Sequence, residues 1–183
     1  MITIHSFKTN GTDAVPVNVE VEISDGIGIH LIGLADNETK QSLLRTVTAM
    51  QSLGYNIPGK RVVINIAPGD LYKSGEGYDL PMALGIIGAS GREQFIDVDN
   101  YVIAGELGLD GYVRDIPGWK QAAEVAKATG KVCILPTECA KSAAGVFREA
   151  VTIYGVDTLL EALDILVDGA PEWTALDDYL ASR

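Results

Sequence analysis

Cysteine, histidine and basic side chains are scarce in this 183-residue sequence, and each scarcity closes off a class of function. The two cysteines, Cys133 and Cys139, are too few for a disulfide framework, and their spacing does not match a zinc site. They read as reduced thiols of a cytoplasmic protein. His5 and His30 are the only histidines; both fall in predicted strands, and neither has a triad arrangement around it. The carboxylates are scattered and no D-x-D-x-D-G loop occurs, so a metal site has no support. Lys and Arg number 14 against 25 Asp and Glu, a net charge of −11. Without a clustered basic patch to displace counterions, the chain itself is not expected to grip nucleic acid. No run approaches the roughly 18 apolar residues of a membrane span. Met1–Lys8 has no basic leader ahead of a long apolar stretch, which argues against a secretory signal.

What is present is globular composition, 47% hydrophobic and 21% charged, on a length suited to one core. The acidity is uneven. Residues 1–148 carry 13 basic and 17 acidic side chains, whereas residues 149–183 carry 1 and 8. The reading is one domain over residues 1–168, followed by an acidic linker or docking segment over 169–183, which opens with a Gly and a Pro.

The chain opens as strands. Val15, Val17, Val19, Val21 and Ile23 alternate with polar residues at period two, and Ile2–Phe7 and Ile29–Leu34 flank them, with Asp25-Gly26 turning between the second and third. Leu43, Leu44, Val47, Met50 and Leu53 then recur at helical spacing over Asn37–Leu53, with Asp36 as N-cap and Gly54 past the C-terminus. Val62–Ala67 reads as a central strand. Leu80–Ser90 is apolar all round and predicts a buried helix capped by Asp79, with Gly85 and Gly88 admitting a close neighbour. Tyr101–Leu107 and Tyr112–Ile116 predict a hairpin turning at Leu109-Asp110-Gly111. A helix over Gly118–Thr129, a strand over Val132–Leu135, a helix from Glu138, a strand over Val151–Tyr154 and a capped helix from Thr158 to Asp168 complete the pattern. The fold class is α/β of the α+β kind: a mixed sheet, antiparallel at first, followed by βα units.

Three segments invite a chemical reading. Gly54–Arg61 nearly matches a phosphate-loop pattern, but Arg61 replaces the Mg²⁺-holding hydroxyl, Pro58 removes an N–H, and the loop leaves a helix rather than a strand. It is a connecting turn. Lys73–Asp79 is a glycine-rich loop before a helix, yet Asp70, Glu76 and Asp79 cluster there and would repel an anion. Lys120 stands in the first turn of its helix, where the dipole disfavours an ammonium and favours a general base. Against this, Lys120, Glu124, Lys127 and Lys131 line the polar side of the helix as a solvated stripe. Glu106 and Asp110 flank a turn and read as solvated or turn-forming.

Four stretches, taken together and in order, carry a resemblance: Gly33-Leu34-Ala35-Asp36, Lys60–Leu71, Lys73-Ser74-Gly75 with Tyr78–Leu84, and Gly105–Arg114. Over about Ile2 to Val167 the chain resembles the N-terminal domain of the YifB/ComM family, often labelled magnesium-chelatase-like. That family usually has Phe where this chain has Tyr78. The resemblance implies the fold shared by Lon protease domains, a small-subunit ribosomal protein and GHMP kinases. It also implies an AAA+ ATPase module after this domain, assembling into hexamers, with members implicated in DNA branch migration during natural transformation. ATP and Mg²⁺ are expected only in that module; no Walker A sequence occurs in these 183 residues. The partners implied are the AAA+ module and neighbouring subunits, with neither nucleic acid nor membrane held by this domain directly.

Lon proteases use a Ser–Lys dyad, the Ser lying in a K-D-G-P-S-A-G run. Laid on Lys73–Asp79, that run puts Gly77 at the nucleophile position, while Lys120 falls at the dyad lysine. A base without a nucleophile forms no acyl-enzyme, and Ser74 lies three residues too early. The resemblance therefore implies a non-catalytic relic with vestigial positions Gly77 and Lys120. The rival expectations are a peptidase using Lys120 with another nucleophile, and a GHMP-like small-molecule kinase.

Overall fold

The computed structural model describes residues 1–57, 59–69 and 77–183, with Asp36 as backbone only. Period-two alternation builds the first two strands, β1 (Ile2–Asn10) and β2 (Asp13–Ser24), which pair antiparallel. They are followed by β3 (Ile29–Ile32), helix α1 (Asp36–Ser52) and β4 (Arg61–Ala67). Helix α2 (Asp79–Ala89) precedes β5 (Tyr101–Ile103) and a small hairpin of β6 (Glu106–Leu107) and β7 (Val113–Arg114). The chain then alternates through α3 (Trp119–Thr129), β8 (Val132–Pro136), α4 (Thr137–Phe147), β9 (Ile153–Val156), α5 (Leu159–Asp168) and α6 (Ala175–Ala181).

Seven strands form one mixed sheet in the order β3-β4-β2-β1-β5-β8-β9. β2 pairs antiparallel with both β1 and β4; the other contacts are parallel. This is the expected antiparallel opening followed by βα units. Side chains alternate across the sheet, so one strand feeds two cores: Tyr101 and Ile103 enter one and Val102 the other. The first core lies under α1, α2 and α5 and packs Ile4, Val19, Val21, Ile64, Leu80 and Leu84. The second lies under α3, α4 and α6 and is rich in alanine, including Ala122, Ala123, Ala126, Ala140, Ala143 and Ala144.

Several boundaries differ from the expectation. β4 is interior but second from the edge; β1 is the central strand. β3 joins β4 in parallel and does not fold back on β2. The predicted Tyr101–Leu107 strand breaks at Ala104-Gly105, so that β5 stays in the main sheet while β6 turns out to pair with β7. Helix α1 begins at Asp36 itself, and its cap is the extended Ala35, which makes no side-chain cap bond. At α5 the Thr158 hydroxyl accepts from the Glu161 N–H, but the Glu161 carboxylate accepts from Asp157 N–H, one residue ahead of the usual box. Residues 169–183 include α6, held by a reciprocal Thr174–Asp177 capping box and docked on α4. Tyr179 packs where Gly145 has no side chain, since a Cβ there would stand 2.7 Å from its ring, and Arg148 lies over that ring at 5.1 Å.

The glycines of α2 serve as the sequence suggests. A Cβ at Gly85 would stand 2.5 Å from Val21 Cγ2, and one at Gly88 would stand 2.5 Å from Phe95. The buried helix lies directly on β2 because one of its sides is bare.

Candidate functional site

Gly77 lies at a corner where the start of α2 meets the β5–β6 break and Ile116 ahead of α3. Gly77 has φ +86°, a left-handed conformation that glycine adopts without penalty. Its carbonyl accepts from Gly105 N–H at 3.0 Å, and the Gly105 carbonyl accepts from Leu80 N–H at 3.0 Å. Tyr78 is buried, and its hydroxyl donates to the Phe7 carbonyl at 2.9 Å. Burial raises its pKa.

The surroundings of Gly77 are apolar. Among the described residues outside its chain neighbours, the atoms nearest to a Cβ built there are Ile116 Cδ1 at 3.7 Å, Ala104 Cβ at 3.9 Å and Ile116 Cγ2 at 3.9 Å. Both side chains are buried. Lys120, four residues beyond Ile116, is the second residue of α3 and is exposed. Among the described residues, what stands against Gly77 is hydrocarbon. Of the solvated stripe, Lys120 and Lys127 are exposed, but Lys131 reaches back to the main-chain carbonyl of Asp99.

Two residues on, Asp79 departs from its expected role. It is the first residue of α2 rather than the cap, because Tyr78 occupies the capping position in a helical conformation. Its carboxylate is fully buried and accepts from Ser42 Oγ at 2.6 Å, Arg45 Nε at 2.7 Å and Leu107 N–H at 3.0 Å. Arg45 Nη2 adds a longer bond at 3.3 Å, giving a fork on the carboxylate. The bond to Asp79 raises the Arg45 pKa against the opposing effect of its partial burial. Glu106 is not merely solvated: its carboxylate lies 3.9 Å from Arg45 Nε. Asp110 does form its turn, accepting from Tyr112 N–H at 3.1 Å.

Sequence reasoning missed this cluster, although it left a signal. Ser42 and Arg45 stand at helical spacing within the apolar stripe of α1, and polar residues on a buried face call for partners. The remaining candidates lie apart from the corner. His5 Nδ1 meets Asn18 Oδ1 at 2.8 Å and Nε2 meets Asp99 Oδ1 at 3.1 Å; His30 is exposed on β3. Burial pushes the Cys133 thiol up, and that of Cys139 up to about 11. Asp70, Lys73, Ser74 and Glu76 of the glycine-rich loop, and Pro58 of the turn into β4, lie outside the described residues. No group of three or more His, Cys, Asp or Glu able to hold a metal occurs among the described residues, and none of their helices is long and apolar enough to cross a membrane.

The family model for subunit ChlI of Mg-chelatase matches residues 19–139, well over half of the chain and the whole of this corner. The protein YifB of Escherichia coli is 37% identical over 133 residues, covering 72% of the chain and 26% of that protein. The chain belongs to the YifB/ComM, magnesium-chelatase-like family. Its similarity to YifB of Salmonella typhimurium is 34% identity over 151 residues, 82% of the chain and 30% of that protein. Competence protein ComM of Haemophilus influenzae is 30% identical over 164 residues, 89% of the chain and 32% of that protein. This YifB/ComM domain thus spans about a quarter to a third of the length of the relatives it matches.

Proposed function

We propose that this chain is a non-catalytic assembly or regulatory module of a YifB/ComM-type AAA+ ATPase, whose parent acts in DNA processing during natural transformation. The observation that carries the reading is the apolar enclosure of Gly77. The position aligned with the protease nucleophile bears no side chain, and among the described residues Ile116 and Ala104 are what it faces. A serine nucleophile needs a base within hydrogen-bond reach and donors for the oxyanion, whereas this corner supplies packed hydrocarbon. A second feature supports it. The C-terminal ends of parallel strands are where open α/β sheets bind ligands, and here the β6–β7 hairpin lies across them. Val113 N–H donates to the Asp157 carbonyl after β9, and Cys139 Sγ lies 3.5 Å from the Ile116 carbonyl. The competence role is taken from the name of the relative, competence protein ComM, and the sparse basic charge supports a grip on DNA by another part of the parent.

A fluorogenic-peptide assay of wild type, Lys120→Ala and Gly77→Ser tests the reading. No turnover is expected from any of the three, with unchanged folding of Lys120→Ala. Lysine-dependent turnover would overturn the module reading in favour of a Ser–Lys-type peptidase. A clear rise in thermal midpoint with ATP–Mg²⁺ would instead favour the small-molecule kinase.

A further inference from the structure

Exposed apolar side chains gather where the β6–β7 hairpin meets α1 and α5. Leu109 and Tyr112 at the hairpin tip are 56% and 55% exposed, and Leu160 on α5 is 40% exposed. The backbone makes them neighbours. Leu159 N–H donates to the Gly111 carbonyl at 3.0 Å, and Tyr112 bridges to Thr158. A Cβ on Gly111 would stand 2.8 Å from Leu53 Cδ1, so α1 supplies the floor. Single exposed leucines are ordinary, but a contiguous group with a polar rim marks an interaction surface. The rim here is acidic: Asp110 at the tip, with Glu161 and Asp164 exposed along α5. Arg114, the hairpin's one basic residue, folds back over Gly108 on the Asp110 side, a Cβ at Gly108 standing 2.7 Å from Arg114 Nε and 2.8 Å from Asp110 Oδ1, which leaves Glu161 and Asp164 as the outer part of the rim.

We propose that this patch docks a basic amphipathic segment of a partner protein. The segment's apolar side rests on Leu109, Tyr112 and Leu160, and its lysine or arginine side chains face Asp110, Glu161 and Asp164. A second copy of this chain is the poorer occupant, because acidic rim would meet acidic rim. The proposal rests on the module reading, and the two fail separately: lysine-dependent turnover overturns that reading and leaves the patch intact.

The test titrates a short leucine–lysine amphipathic helical peptide into isotope-labelled protein and follows backbone amide resonances, with the same peptide carrying Ser for Leu as control. Shifts are expected at Leu53, at 109–112 and at 158–164. Tyr112→Ser is expected to weaken binding by more than about tenfold, as removal of an aromatic anchor does. Glu161→Gln with Asp164→Asn is expected to weaken it about two- to fivefold, an effect that raised salt mimics. Leu109→Ser, on an exposed residue, provides a second apolar variant, and thermal midpoints check that each variant folds. Absence of shifts, shifts elsewhere, or equal binding of the Ser control overturns the proposal. So does a concentration-dependent dimer that Tyr112→Ser abolishes.

Discussion

The two faces of the sheet are packed on different principles. Under α1, α2 and α5 the core is built from large branched and long side chains, Ile4, Ile64, Met82, Leu84 and Leu163 among them, and it encloses the Asp79 carboxylate paired with a partly exposed Arg45. Under α3, α4 and α6 alanine is the commonest residue, with Phe7, Ile116, Leu135 and Ile153 among the larger side chains. Large side chains fill volume and tolerate little loss; small ones bring helices close to the sheet and tolerate little gain. The first face also holds the polar corner that orients the start of α2, whereas the second carries both buried thiols.

Four substitutions probe this contrast. Asp79→Ala should have the largest effect, destabilising by about 3–5 kcal/mol, because the Arg45 guanidinium and the Leu107 N–H lose their acceptor. Urea unfolding measures it, and a value near zero would mean the corner is held by its backbone bonds alone. Leu84→Ala, fully buried in α2, should cost about 2–5 kcal/mol by opening a cavity. On the alanine-rich face the opposite change is the damaging one: Ala143→Leu should cost about 1–3 kcal/mol by forcing α4 away from the sheet. Equal tolerance of both would erase the distinction between the faces.

The last prediction is a pH dependence at Cys139 on the second face. Burial raises the Cys139 pKa from 9.0 to about 11, so the unfolded chain ionises first as pH climbs. The stability contributed by this neutral thiol is intact below pH 9 and is lost between pH 9 and about 11. Unfolding midpoints measured across that range should fall less steeply in Cys139→Ala than in wild type.

Much of the fold was legible because its signals are local. The period-two alternation of Val15–Ile23 became β2, and the all-apolar run Leu80–Ser90 became the buried α2 with both of its glycines under close neighbours. Places where the reading slipped are those where a distant partner decides. Asp79 has the residue type and position of a cap, and only the arrival of Ser42 and Arg45 from α1 turned its carboxylate to another task. The Tyr101–Leu107 run looks continuous, yet Gly105 bonds to the α2 corner and diverts the chain into the hairpin. The acidic end segment reads as a linker or docking segment, and only the fold sets where it packs: Tyr179 meets the gap at Gly145 and α6 lies against α4.

The sequence by itself determined the element types, the mixed sheet and the family, since alternation, helical spacing and four ordered motifs are properties of neighbouring residues. It also placed a glycine, with no side chain to act as a nucleophile, at position 77. The tertiary structure alone decided what surrounds that glycine and what Asp79 binds, and it set the exposed apolar tip beside an acidic rim. Those are contacts between residues tens of positions apart, and their energies depend on burial and distance, which no local pattern contains.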